Sequence, residues 1–329
     1  MVHKPRRAGF LAMAGLLAAA GLMASSTAAV AAPSASSPVV VATIPVGTLP
    51  SGVAVNPVTS TAYVANFTSN TVSVISGRTN TVTTTIPVGT GPEQAPVNPV
   101  TNTIYVTNNG DNTVSVISGR TNAVTATIKV GAGPIGAAIN FVTNTIYVAN
   151  SGAGTVSVIS GRTNTVTATI PVGTGPLGMA VNPLTNTAYV TNGGTATVSV
   201  ISGRTNKVTA TVPVGALPIG VAVNPLTGTV YATSGGTGTM SVISGRTNTV
   251  TATVTVGTFP EGVEVNPVTN VAYVANAGSS TLSVIGGRTN TVTSTVAVGA
   301  VPVGVAVNPL TGVIYVTNFR AASVSVLSG

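Results

Sequence analysis

The stretch Thr103-Ile104-Tyr105-Val106-Thr107-Asn108-Asn109-Gly110-Asp111-Asn112-Thr113-Val114-Ser115-Val116-Ile117-Ser118-Gly119-Arg120-Thr121-Asn122 decides the fold. Two runs of Thr, Val, Ile, Ser and Tyr, which suit a pleated surface, are bounded by links rich in Asn, Gly and Asp. No helical apolar period passes through them. The tyrosine recurs at Tyr63, Tyr105, Tyr147, Tyr189, Tyr231, Tyr273 and Tyr315, each 42 residues after the last. Arg78, Arg120, Arg162, Arg204, Arg246 and Arg288 keep the same step. A fixed period of this length indicates a solenoid or a propeller.

Seven periods fill 294 of the 329 residues, which places the start of the repeat domain at Ser36. Each period reads as four strands, at 52–56, 61–66, 71–76 and 81–88 in the first full copy. Pro45, Pro87, Pro171 and Pro213 recur in the fourth strand. Proline has no N–H to give a ladder, so that strand is expected at the edge of its sheet. Four-stranded units with one repeated outer edge are propeller blades, and the expected fold class is all-β. The chain stops at Leu327-Ser328-Gly329, where other copies continue into a fourth strand, while residues 40–46 align with 82–88. The N-terminal strand is therefore expected to complete the last blade and close the ring, removing two exposed edges.

Tyr105-Val106-Thr107-Asn108, Tyr189-Val190-Thr191-Asn192 and Tyr315-Val316-Thr317-Asn318 carry one tetrapeptide; Tyr63-Val64-Ala65-Asn66, Tyr147-Val148-Ala149-Asn150 and Tyr273-Val274-Ala275-Asn276 nearly match it. Tyr231-Ala232-Thr233-Ser234 departs most. In these residues the chain resembles the YVTN β-propeller repeat family across the whole repeat domain. The resemblance implies a seven-bladed propeller, as in archaeal surface-layer proteins and exported bacterial relatives. It implies no single activity, because a propeller hosts many. With no Trp in the chain, a WD40 reading is disfavoured.

The first segment reads as an address. Lys4, Arg6 and Arg7 precede an apolar run at 10–23, and Ala29-Val30-Ala31 supplies a small-residue cleavage signal. The expected organisation is a signal peptide at 1–31, a short linker at 32–35 and the propeller at 36–329. The alternative, a retained anchor, has only the uncharged residues 8–24 against a need of about 20. Arg6-Arg7 leaves both the general and the twin-arginine export routes open. Cleavage leaves nine basic and four acidic residues, a balance of +5, and removes His3, the only histidine. The absence of Cys fits export without disulfides. A secreted or cell-surface monomer with no membrane span after cleavage is expected.

Charged residues are 5% of the chain and aromatics 4%, so the core must be built from Val, Ala, Ile and Leu. Without His or Cys beyond the leader, the chain cannot build a Ser-His-Asp triad, a cysteine nucleophile or a His/Cys zinc site. No cofactor or metal is expected, and acid–base chemistry would fall to Glu93, Asp111, Glu261 and Glu264. The tyrosines could be a stacking ring; the plainer reading places one between each pair of blades, its hydroxyl on a backbone partner. The arginines lie in turns between third and fourth strands, about 15–20 Å apart around the rim. At a Debye length of about 8 Å they act nearly singly. Solvated turn residues are the plain reading, weak binding to an anionic cell wall or nucleic acid the alternative. Nucleic acid is disfavoured because no aromatics interleave with clustered basic residues.

Departures from the repeat carry more. Ser51, Glu93, Ile135, Leu177, Ile219, Glu261 and Val303 share one slot just before the innermost strand, and only blades 2 and 6 place carboxylates there. Glu264 stands in the innermost strand, where five copies have Ala and blade 2 has Pro96. Asp111 and Arg320, the latter beside Phe319, occupy loops between second and third strands. Glu93, Asp111, Glu261, Glu264 and Arg320 are thus the candidate ligand-binding residues on one face, opposite the six turn arginines. Surface polarity for a charge-poor protein is the plain reading. Glu261 and Glu264, three apart on an extended strand, are expected to point oppositely, and Glu93 and Glu261 to lie too far apart to grip one bare cation. A non-enzymatic module binding a protein or glycan at the cell surface is the expected function. A lactonase-like hydrolase with a carboxylate site at the channel mouth is the alternative, although no lactonase residue pattern can be matched here.

Overall fold

The computed structural model describes residues 37–329. The expected signal peptide and linker lie outside the described residues. Seven antiparallel sheets of four strands are arranged as blades. In blade 1 the strands run outward in chain order: Pro50–Asn56, Thr61–Asn66, Thr71–Ser76 and Thr81–Pro87. Blades 2 to 6 repeat this order. The first strands pack on those of the neighbouring blades, and that of blade 7 meets that of blade 1, so the ring is closed. The fold is an all-β seven-bladed propeller.

Blade 7 is assembled from both ends of the chain. Pro302–Val307, Ile314–Asn318 and Ser323–Ser328 form its first three strands, and Val39–Pro45 is the outermost. The register runs from Val39 opposite Ser328 to Pro45 opposite Ser323. The prolines of the fourth strands lie on the outer strand of each sheet, where no ladder bond is lost.

Packing is between blades rather than within them. Tyr189, Val198, Val200 and Val212 of blade 4 enclose Val221, Val223, Val230 and Ile243 of blade 5 in one cluster, and the same arrangement recurs around the ring. Burying each Val or Ile is worth about 1.5–3 kcal/mol. Each tyrosine is buried, and Tyr315, Tyr147, Tyr189 and Tyr231 reach the Gly-Arg turn of the next blade. A Cβ on Gly77 would stand 2.6 Å from the Tyr315 hydroxyl, and one on Gly287 2.7 Å from that of Tyr231. Those glycines are fixed jointly by the tyrosine tip and by the backbone carbonyl of the adjoining turn, Ser60 O and Asn270 O respectively. The hydroxyl partner differs from expectation: Tyr105 donates to the Asn164 side chain at 3.5 Å, and the Tyr231 hydroxyl has no partner.

The recurring polar residues hold the strands and blades together. Asn66 Nδ2 donates to Thr71 Oγ1 and Ser73 Oγ, both at 3.0 Å, and the other Asn copies do the same. At the far strand end, Asn56 Nδ2 donates to Asn102 Oδ1 of the next blade at 2.8 Å. Asn80, Asn122, Asn164, Asn206, Asn248 and Asn290 close their turns at φ of 52–56°, a region Asn tolerates better than most residues.

Blade 2 departs from its neighbours. Its first strand shrinks to Val97–Asn98, with Pro92 bridging Asn108 separately. Pro96 stands where a ladder N–H is needed, and the irregular segment is held instead by Glu93 N to Thr107 O (2.9 Å) and Thr107 N to Gln94 O (3.0 Å).

Candidate functional site at the channel mouth

The loops entering the first strands and those joining second to third strands share one face: Phe67 N donates to Leu49 O at 3.0 Å, Asn109 N to Gly91 O at 2.9 Å, and Phe319 N to Val301 O at 2.9 Å. The turns joining first to second and third to fourth strands share the other: Gly77 N donates to Ser60 O and Gly119 N to Asn102 O, each at 2.8 Å. The carboxylates therefore belong to one face and its channel, and the six turn arginines to the opposite face.

The slot residues ring the channel mouth. Ile135, Leu177 and Ile219 form an apolar arc on blades 3 to 5; Glu261, Val303, Ser51 and Glu93 follow on blades 6, 7, 1 and 2. The Thr of the Tyr-Val-Thr-Asn tetrapeptide fixes this ring. Thr107 Oγ1 accepts from Gln94 N (3.0 Å) and donates to Ile135 O of the next blade (2.7 Å). Thr191 bridges likewise to Ile219 O, Thr233 to Glu261 O and Thr317 to Ser51 O. Blades 1, 3 and 6 carry Ala65, Ala149 and Ala275 there and lack the hydroxyl.

Ser51 Oγ donates to Glu93 Oε2 at 2.7 Å, and Gly52 N to Glu93 O at 2.7 Å. Burial raises the Glu93 carboxyl above the ordinary range, and the Ser51 bond partly offsets this. Burial also pushes Glu261 up, to about 7, with the negative charge of Glu93 adding to the shift. These two carboxylates, three blades apart in the ring, carry like charge at the same mouth, and burial outweighs their mutual repulsion as the cause of the Glu261 shift.

Glu264 sits deeper. It pairs in register with Tyr273, whose side chain packs against blade 7 beside Val305 and Val307. In other blades this position holds an alanine in the same kind of interface, such as Ala180 and Ala222. Burial raises the Glu264 carboxyl to about 7, offset only by the Val265 N–H donating to its Oε1 at 2.9 Å. The expected opposition of Glu261 and Glu264 fails on a register shift between Pro260 and Val263. That bulge places two residues opposite one, so a three-residue step returns the chain to the same side.

Asp111 and Arg320 are exposed in the outer loops. Asp111 Oδ2 accepts from Thr90 N at 2.6 Å, the place Ser69 takes toward Thr48 N in blade 1 and Ser279 toward Thr258 N in blade 6. It braces the loop that presents Glu93. The structure thus places Glu93 and Glu261 in the same ring of slot residues at the mouth, Glu264 further along the innermost strand of blade 6, and Asp111 and Arg320 in the outer loops.

This face also carries a left-handed backbone position in each entry loop. The residue before the loop proline has positive φ in every blade. Blades 2 to 4 use Gly91, Gly133 and Gly175, but blades 5, 6, 7 and 1 use Leu217 (51°), Phe259 (49°), Val301 (54°) and Leu49 (51°). For a β-branched residue such as Val301 this is a true outlier, at a cost of about 1–3 kcal/mol. The four residues put apolar side chains on consecutive blades around the mouth, with Leu217 and Phe259 40% and 43% exposed. The signal was present as a Gly-to-bulky change two positions before the carboxylate slot.

Among solved structures, the chain is similar to Kuenenia stuttgartiensis hydrazine synthase, at 20% identity over 85% of this chain and 96% of that one, with a TM-score of 0.77. No family model and no curated protein matches the chain. At that identity the likeness is one of fold, and it agrees with the seven-bladed propeller described above.

Proposed function

We propose that this chain is a non-enzymatic binding module of the YVTN repeat kind, exported and acting at or beyond the cell surface. Its ligand, a protein or glycan, sits at the carboxylate-lined channel mouth. The observation that carries the reading is the pair Glu93 and Glu261, half-buried and mutually repelling in a ring otherwise supplied by Ile135, Leu177, Ile219, Val303 and Ser51. Carboxylates held at such cost without a cationic neighbour are poised for a donor-rich group that relieves them. The in-phase tetrapeptides support the family, and the basic, apolar and small-residue leader supports export.

A hydrolase is the second reading, because Glu261 and Glu264, with pKa values of about 7, suit general acid–base work. Arrayed glycans, peptides and lactones would be tested by calorimetry and turnover against the wild type and a Glu93→Gln, Glu261→Gln variant. A compound bound without turnover by the wild type and lost in the variant supports the module. Lactone turnover lost in the variant replaces it with the hydrolase, and binding indifferent to the variant removes the mouth as the site.

A further inference from the structure

The face opposite the carboxylates carries two concentric rings. The inner one is apolar and lies in the Asn-Pro turns, Asn-Phe in blade 3: Val58, Val142, Leu184, Val268 and Leu310 are 48–53% exposed, and Val100 and Leu226 occupy the same place, partly covered. Each is held outward by an Asx turn, as where Leu184 N donates to Asn182 Oδ1 and Leu310 N to Asn308 Oδ1, both at 3.0 Å. The outer ring is the six exposed turn arginines, joined by Lys207. Hydrogen bonds such as Gly161 N to Asn144 O and Gly203 N to Asn186 O, both 2.8 Å, tie the two turns of each blade side by side, so the rings share a surface. None of the four acidic residues lies in these turns.

We propose that this face docks on an anionic lipid bilayer, with the apolar ring entering the headgroup boundary and the arginines on lipid phosphates. An apolar patch rimmed by cations fits a surface that is itself apolar beneath an anionic layer. A soluble polyanion would leave the Val and Leu ring without a partner. A second copy stacked face to face would set arginines against arginines. Beside Arg162 a polar recess of about 270 Å³, lined by Asn144, Ser160, Thr167 and Asn206, gives room for a headgroup, and a second of about 190 Å³ adjoins Arg246. Val39 and Val41, exposed at 59% and 55%, begin the outer strand of blade 7 at the edge of this same face, where no turn arginine stands. The site is separate from the channel mouth and does not rest on the function proposed for it.

The test uses the chain from Ala32, the form expected after cleavage; its ring is closed by Val39–Pro45 and needs nothing upstream to complete a blade. Sedimentation with vesicles of phosphatidylglycerol and phosphatidylcholine is compared with pure phosphatidylcholine, at low and high salt. Expected are binding to the anionic vesicles alone and weakening with salt. Arg120→Gln, Arg162→Gln, Arg204→Gln together should cost on the order of a hundredfold in partition, about fivefold per arginine. Val142→Ser with Leu184→Ser should cost about tenfold. Because the substituted side chains are exposed in turns, unchanged melting temperatures are expected in both variants. No binding to anionic vesicles overturns the proposal. So does equal binding to soluble polyphosphate with no effect of the Ser pair, which would make the face a polyanion site. Self-association without vesicles, abolished by the Ser pair, would overturn it in favour of a second copy.

Discussion

Replacing Glu264 with Ala restores to blade 6 the residue that five other blades carry in the same interface. The wild-type carboxyl has a folded-state pKa raised from 4.5 to about 7, chiefly by burial. The folded chain therefore binds the extra proton between those values, and its stability falls as pH rises through that window. The displacement corresponds to about 3 kcal/mol, an upper value because the side chain keeps some contact with channel water. At pH 8 the Ala variant should gain most of this, a melting temperature higher by roughly 5 °C at about 2.1 cal/mol/K of unfolding entropy per residue. At pH 4.5 the gain should vanish, and the lost methylene and carboxyl contacts should lower stability by about 1 kcal/mol. Glu264→Gln, which keeps the volume, separates charge from packing and should flatten the pH profile without the acid-side loss. Calorimetric scans from pH 4 to 8 read this directly. The residual slope belongs to Glu261, which titrates in the same window. A melting-temperature difference between wild type and Ala variant that is the same at pH 4.5 and 8 would refute the buried-charge argument.

Deleting Val39–Pro45 should expose the third strand of blade 7 and cause aggregation or a large fall in melting temperature; a monomeric deletion variant of unchanged stability would contradict ring closure through that strand. Thr107→Ala, Thr191→Ala and Thr233→Ala each remove a hydroxyl that spans two blades, and each should cost about 1 kcal/mol in denaturant unfolding, while Thr101→Ala in an exposed turn should cost nearly nothing. Glu93→Gln removes the charge facing Glu261, so the Glu261 carboxyl should titrate lower by NMR; an unshifted titration would show that the two do not communicate across the mouth.

The blades were legible because repetition multiplies weak signals. One copy of Thr-Val-Ser-Val-Ile-Ser could be any strand, but its recurrence in phase with Tyr, Asn-Pro and Ser-Gly-Arg-Thr-Asn leaves little freedom. Closure was legible for the same reason, since residues 40–46 match a strand the last copy lacks. What escaped belongs to the backbone rather than to the pattern. The bulge that brings Glu261 and Glu264 to one side has no residue signature, because every blade but the irregular second has the same shift at the same place. The left-handed Leu, Phe and Val residues break a conformational rule instead of following one. The burial that raises Glu93, Glu261 and Glu264 depends on how tightly seven first strands gather about the axis, which spacing along the chain does not encode.

The joint in blade 7 also sets an order of events. Val39–Pro45 must find Ser323–Ser328, a pairing between segments almost the whole chain apart, whereas every other ladder forms within one repeat or between adjacent strands. Loop-closure entropy makes such a contact late. During synthesis the first strand emerges long before its mate, carrying Val39, Val40 and Val41 as an unpaired apolar ribbon. Six blades can stack meanwhile as an open arc, and only the arrival of Ser323–Ser328 turns that arc into a disc. The interval between the two is when the protein is most vulnerable to pairing with another chain, and its length is fixed by the rate at which the chain is made rather than by the strength of any blade.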